Sequence, residues 1–330
     1  VRQRGTAAGE PDALARVIAM VNDKGGVGKT SLVANLAGQL AAADYRCLVV
    51  DLNRQANLAD DLGYRDDDDD DQGAGLVLSI LTERPVVPVE DVRPGLDVVP
   101  GGARLADLVP LMVGRLQERG RAAFDVLAEV LAPVAADYDV VFVDCPPEST
   151  ILTDLALTAA RWVVMPTKSD VGGLVGMRLV AERFAVARER NPGLRLLGAV
   201  LFATGTRSRR VHAEVRGAVE RAFGGHSPLF STAVRHAERS AQDARRLGKL
   251  AHELEAEVAA QPAWWASLRD GTAAAPRLSA AAAGVAEDYR DLGVELLTLL
   301  RAAEESADDH DATDHDATDH DATDHDVEAM

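Results

Sequence analysis

The sequence predicts an α/β fold: an open, doubly wound, mostly parallel sheet with helices on both faces. Short apolar runs recur along the chain without the alternation of a half-exposed strand, as in strands covered on both sides. Longer amphipathic stretches separate these runs, and strand–helix alternation is the pattern of a parallel sheet. The chain has 330 residues, 47% of them hydrophobic, enough for a sizeable core.

In chain order, residues 1–15 read as a flexible segment with no apolar stretch of a signal peptide. VIAMV (17–21) is the first strand and 30–43 the first helix. CLVV (47–50) is the second strand. DDDDDDQGAG (66–75) reads as a loop that packs against nothing apolar. LDVV (96–99) is a strand, 119–135 a helix, and VVFV (140–143) and WVVM (162–165) are strands. Then come a helix over 171–190, the strand LLGAVLF (196–202) and a helix over 209–223. Helices near 250–268 and 279–303 flank the loop RDGTAAAPR. One domain therefore covers 16–303. Residues 304–330, with their DHDAT repeats, read as a disordered acidic tail.

The net charge of −18 is unevenly spread. Residues 302–330 hold twelve acids and no Lys or Arg, and Asp66 to Asp71 add six more; without these tracts the body is near neutral. Residues 207–250 carry ten basic and four acidic residues. Among 35 cationic residues only four are lysines, at 24, 29, 168 and 249. Cys47 and Cys145 match neither zinc spacing nor a disulfide framework, which points to a reducing, cytoplasmic setting. No apolar run approaches the roughly 18 residues that span a bilayer.

The strongest chemical signal is VNDKGGVGKTS (21–31), which follows a buried strand and opens a helix. Glycines there let backbone N–H groups turn onto phosphate oxygens, and the helix N-terminus adds partial positive charge. Lys29 would reach the β- and γ-phosphates, and the Thr30 hydroxyl would ligate Mg²⁺. The strict G-x-x-x-x-G-K-[ST] spacing is not met: its first position, five before Gly28, holds Asp23 rather than Gly, and Lys24 follows.

KGGVGKT in this context resembles the deviant Walker A loop of the ParA/MinD ATPases, a family with the SIMIBI type of P-loop NTPase fold. The resemblance implies ATP and Mg²⁺ as cofactors, held by Lys24, Gly25, Gly26, Val27, Gly28, Lys29, Thr30 and Ser31. It implies that Lys24 crosses a dimer interface to the partner's nucleotide; the plainer alternative is a solvated loop charge. VVDLNRQANLADDLG (49–63) resembles the family's D-x-D-P-Q-x-N motif at Asp51, Gln55 and Asn57. Asn53 replaces the second Asp and Arg54 the Pro. The resemblance places Asp51 near Mg²⁺ and the attacking water, the alternative being a helix cap. YDVVFVDCPPEST (138–150) resembles a Walker B strand, with Asp144 holding Mg²⁺ through water. Lys24, Lys29 and Asp51 would then carry a slow ATP hydrolysis, with Thr30, Asp51 and Asp144 at the metal.

GLDVVPGGARLADL (95–108), FSTAVRHAERSAQDARRLGK (230–249) and GVAEDYRDLGVELL (284–297) resemble further segments of the family. Residues 252–280, with Trp264 and Trp265, are longer than the usual connection. A MinD-like branch would end in a basic amphipathic helix; here the end is acidic, so no membrane is expected. An iron-protein branch needs paired Cys, and a tyrosine-kinase branch a terminal Tyr cluster. The short ParA-type partition ATPase remains. It implies a nucleoid-associated protein that dimerises on ATP, binds double-stranded DNA without sequence preference, and releases it when a ParB-like partner stimulates hydrolysis. Arg207, Arg209, Arg210, Arg235, Arg239, Arg245 and Arg246 are the candidate phosphate contacts. No aromatic residue is interleaved among them, which favours backbone over single-strand binding. Two alternatives stay open: a ParA-like ATPase that positions a protein cargo, and an ATP-dependent small-molecule ligase resembling dethiobiotin synthetase.

Overall fold

The computed structural model describes residues 13–65, 67–147, 149–168, 171–204, 209–223, 229–261 and 278–320, with backbone alone at 171–177, 204, 209–212, 222–223 and 306–320. Residues 13–15, at the end of the expected flexible segment, are held in place: Trp162 Nε1–H donates to the Ala15 carbonyl at 2.8 Å.

Every one of the six apolar runs forms a strand. They are β1 (Val17–Met20), β2 (Cys47–Asp51), β4 (Leu96–Val99), β5 (Val140–Asp144), β6 (Trp162–Thr167) and β7 (Arg195–Thr204). Two more complete the sheet, β3 (Val89–Arg93) and β8 (Val234–Arg235). The order is β3-β4-β2-β5-β1-β6-β7-β8. Only the β3–β4 pair is antiparallel; the other pairs run parallel.

Side chains alternate between two cores, one on each face, as a period of two requires. Val17 and Ala19 face one core and Ile18 and Met20 the other, all fully buried. The first core is covered by α3 (Ala74–Thr82), α4 (Leu108–Arg119), α5 (Val126–Ala135), α6 (Thr150–Ala159), α7 (Val171–Arg188) and α8 (Arg209–Phe223). The second is covered by α1 (Lys29–Ala41), α2 (Asn57–Leu62), α10 (Ala251–Ala260) and α11 (Ala282–His320). A further helix, α9 (Glu238–Leu247), packs beside α2. The described residues contain no helix long and apolar enough to cross a membrane.

Three expectations change. The helix expected over 119–135 is broken: Gly120 adopts φ +59°, ending α4, and a 3₁₀ turn leads into α5. The acidic stretch 66–75 is not simply an unpacked loop. Asp71 accepts the N–H groups of Gly73 and Gly75 at 2.7 and 2.6 Å, which caps α3 and carries Leu76 and Ile80 into the core. Finally, α11 runs on to His320 rather than ending near 303. No Gly or Pro interrupts the chain after Gly293, so nothing local stops the helix at the acidic repeats. Trp264 and Trp265 lie outside the described residues.

Candidate nucleotide and metal site

The carboxyl ends of β1, β2, β5 and β6 lie side by side, with Asp144 level with both Met20 and Asp51. The loops that carry the expected site residues leave this one edge. The loop after β1 turns at Gly26 (φ +70°) and Gly28 (φ +88°), conformations that favour glycine. A Cβ on Gly28 would also lie 2.4 Å from the Phe202 ring, so the loop and the end of β7 are in contact.

Asn22 organises this loop and carries no motif signal of its own. Its side-chain amide donates to the Pro166 carbonyl at 2.8 Å, tying the loop to β6. Its Oδ1 accepts the Lys24 N–H at 2.9 Å. Its carbonyl accepts Lys29 Nζ at 2.8 Å, and the Lys24 carbonyl accepts the same ammonium at 3.1 Å. Lys29 is buried, which lowers its pKa; the charge of Asp144 works against that. Lys24 is half-buried at the front of the loop.

Thr30 donates its hydroxyl to Asp144 Oδ2 at 2.6 Å. Asp51 Oδ1 accepts the Asn53 N–H at 2.7 Å. The remaining oxygens, Asp51 Oδ2 and Asp144 Oδ1, are buried with no hydrogen-bond partner among the described residues. Burial raises both pKa values: Asp144 is pushed up to about 7, and Asp51 goes well above the usual range with the charge of Asp144 adding to the effect. Two adjacent buried carboxylates with orphaned oxygens and a hydroxyl between strand and loop are the donor set of a hard divalent cation. Thr30, Asp51 and Asp144 thus fit Mg²⁺, with Asp51 and Asp144 offering the free oxygens.

Asn53 and Arg54, where the sequence departs from the family pattern, sit in an ordered turn. Asn53 Oδ1 accepts the Gln55 N–H at 3.0 Å, a bond that an Asp would also accept. Arg54 points to solvent.

A cavity of about 790 Å³ opens beside the loop, lined by Gly25, Gly26, Gly28, Lys29, Thr30 and Ser31 among others. Val27 does not join them: its side chain is fully buried, leaving only its backbone for phosphate. The far wall is built from Phe202, β8, α9 and Tyr289 of α11. Lys168 and Lys249 line the same cavity. Hence three of the four lysines surround it and the fourth, Lys24, stands in its loop. Lys168, at the exit of β6, was not expected at the site.

Four of the seven arginines have described side chains, and two of these are paired with carboxylates distant in sequence. Arg207 lies outside the described residues, and Arg209 and Arg210 open α8 with backbone alone described. Arg235 is held by Asp288 at 2.7 Å, and Arg245 by Asp61 at 3.2 Å; both line the cavity. Asp61 also accepts the Ser31 hydroxyl at 3.2 Å, linking α9 to the nucleotide loop through α2. Arg239 and Arg246 are exposed on α9; Arg246 also lines the cavity and lies 3.3 Å from Asp243. The carboxylates that pair with Arg235 and Arg245 come from α11 and α2, distant in sequence, so a local charge count misses them.

The AAA domain family profile matches residues 15–196. The chromosome partitioning protein ParA of Myxococcus xanthus is 33% identical over 210 residues, covering 61% of this chain and 71% of that protein. A solved structure of cobyrinic acid a,c-diamide synthase from Mycobacterium smegmatis, with bound ATP analogue and magnesium, is 27% identical, with TM-score 0.58 over 71% of this chain and 92% of that one. The cell division ATPase MinD of Pyrococcus furiosus shares the fold: TM-score 0.58, 20% identity, 86% of this chain and 99% of that one. The loop geometry, the paired carboxylates and these relationships agree on ATP and Mg²⁺ as cofactors, and the chain belongs to the ParA/MinD family of P-loop ATPases.

Proposed function

We propose that this chain is a DNA-segregation ATPase whose ATP-loaded form pairs with a second copy and binds double-stranded DNA without sequence preference. One observation carries the reading: a second loop lysine, Lys24, stands in front of a site that Lys29 already serves. Lys29 and the amides of residues 25–31 take the β- and γ-phosphates. Thr30, Asp51 and Asp144 hold the metal, which when bound offsets charge on the phosphate oxygens. Asp51 orients the attacking water. Lys24 reaches the nucleotide of the opposite subunit, so ATP adds contacts that only the dimer makes.

Arg239 and Arg246 on α9, with Arg209 and Arg210 at the start of α8, would meet DNA phosphates. Pairing doubles those contacts and steepens the salt dependence. A ParB-like partner would stimulate hydrolysis and end the bound state. The kinship with a partitioning ParA supports this reading.

Likeness to the synthase structure favours a second reading, an ATP-dependent ligase acting on a small molecule. Co-sedimentation with DNA under ATP, ADP and no nucleotide separates the two, alongside light scattering of the wild type and Lys24→Ala. The segregation reading expects ATP-dependent pairing and DNA binding, both lost in Lys24→Ala. A protein that stays single and ignores DNA with a non-hydrolysable ATP analogue bound would sink it.

A further inference from the structure

An aspartate directly precedes Lys24, at the front of a loop that receives a triphosphate. Asp23 is 9% exposed, and its charge reaches Lys29, where it favours the protonated ammonium. A carboxylate in this place repels phosphate and competes for the loop's lysines. Its ion-pair partner is Arg183 of α7, whose Nε lies 3.4 Å from Asp23 Oδ2 and whose side chain is 21% exposed. Arg183 also acts on Asp154 of α6: burial raises the Asp154 pKa, Arg183 and Arg121 oppose the rise, and Asp23 adds to it. Arg183 therefore acts on two carboxylates, one of them paired with it at the edge of the nucleotide loop.

We propose that Arg183 is a positioning residue for nucleotide binding, which neutralises Asp23 so that Lys24 and Lys29 engage the triphosphate rather than the neighbouring carboxylate. This deepens the assignment of the loop as the ATP site and rests on it. The uncompensated charge in Arg183→Gln acts on the whole phosphate chain, so the more highly charged nucleotide suffers more.

The test titrates fluorescent ATP and ADP analogues against the full chain, with melting curves as a check on folding. At low ionic strength Arg183→Gln is expected to weaken ATP about tenfold and ADP about threefold, with the deficit shrinking as salt rises. Arg183→Lys, which keeps the charge, stays within about twofold of wild type. The double variant D23N/R183Q recovers wild-type affinity. Unchanged ATP binding by Arg183→Gln overturns the proposal, as does a double variant as weak as the single one, which would make the loss one of packing. Should Arg183→Gln not fold, the comparison of D23N with D23N/R183Q decides: equal affinities support the proposal and unequal ones overturn it. A wild-type chain that binds no ATP overturns the site assignment and this proposal together, an outcome distinct from failure of the arginine variants alone.

Discussion

Asp51 and Asp144 stand opposite each other in the parallel ladder of β2 and β5, both fully buried, each with one carboxylate oxygen that no described residue satisfies. This pairing predicts how the metal-free protein responds to pH. The unfolded chain ionises Asp144 near 3.8, whereas burial holds the folded group neutral up to about 7. The neutral acid's contribution to stability is whole below 3.8 and is lost as pH rises toward about 7. Denaturation in EDTA is the measurement. The stability of wild type minus that of Asp144→Asn is expected to fall between about pH 4 and pH 7. A flat or rising difference would show that the pair is not held neutral.

Gly101 bears on the same pair from the third side. An added Cβ there would lie 2.6 Å from Asp51 Cγ and 2.7 Å from the Asp51 carbonyl oxygen. Neither the strand end nor the buried carboxylate can give way cheaply. Gly101→Ala is expected to cost about 1–3 kcal/mol of stability and to raise the Mg²⁺ concentration needed for half-maximal ATPase. Urea unfolding and a Mg²⁺ titration check both, and a variant normal in each would mean that the loop after β4 yields.

Lys168 lines the same cavity as Lys29, where ATP would bring four negative charges. Lys168→Gln is expected to raise the ATP dissociation constant about tenfold, with Lys168→Arg near wild type, since an added cation in a partly desolvated cleft is worth on the order of 1 kcal/mol or more. Isothermal titration at two salt concentrations measures it. Equal affinities for wild type and Lys168→Gln would place the side chain in solvent.

What could be read from the chain and what could not follow a physical divide. The six buried strands were legible because burial on both faces demands continuous apolar runs. The phosphate loop was legible because glycines, a lysine and a hydroxyl must follow one another closely there. β3, with the composition VEDVR, was not, since an antiparallel edge strand bears no such demand. β8 is two residues long and leaves no pattern. Asn22 was missed because its work is done by a side chain bonding to backbone across β6, a relation no local spacing encodes. Lys168 belongs to the site only through the sheet order, which sets β6 beside β1. Asp23 lay in plain sight within the loop, but its meaning depends on Arg183, which arrives from a distant helix.

The same divide separates the arginines and yields a prediction that splits them by function. Arg245 neutralises Asp61, a buried carboxylate whose pKa burial raises and Arg245 lowers. Its side chain is 55% exposed, so solvent screens the pair. Arg245→Gln should therefore act on the fold and the nucleotide, lowering stability by about 1 kcal/mol and loosening the link from Asp61 to Ser31. Arg239 and Arg246 lie exposed on α9, Arg246 also on the cavity wall, so their effect on DNA is read against nucleotide affinity measured in parallel. If this helix meets DNA, Arg239→Gln with Arg246→Gln lowers ATP-dependent DNA affinity and reduces the log–log salt slope by about 0.9 for each phosphate contact removed. Fluorescence anisotropy with a labelled duplex across a salt series reads the slope, and nucleotide titration on the same preparations reads the site. A slope unchanged by the double substitution, with pairing intact, would move the DNA surface off α9.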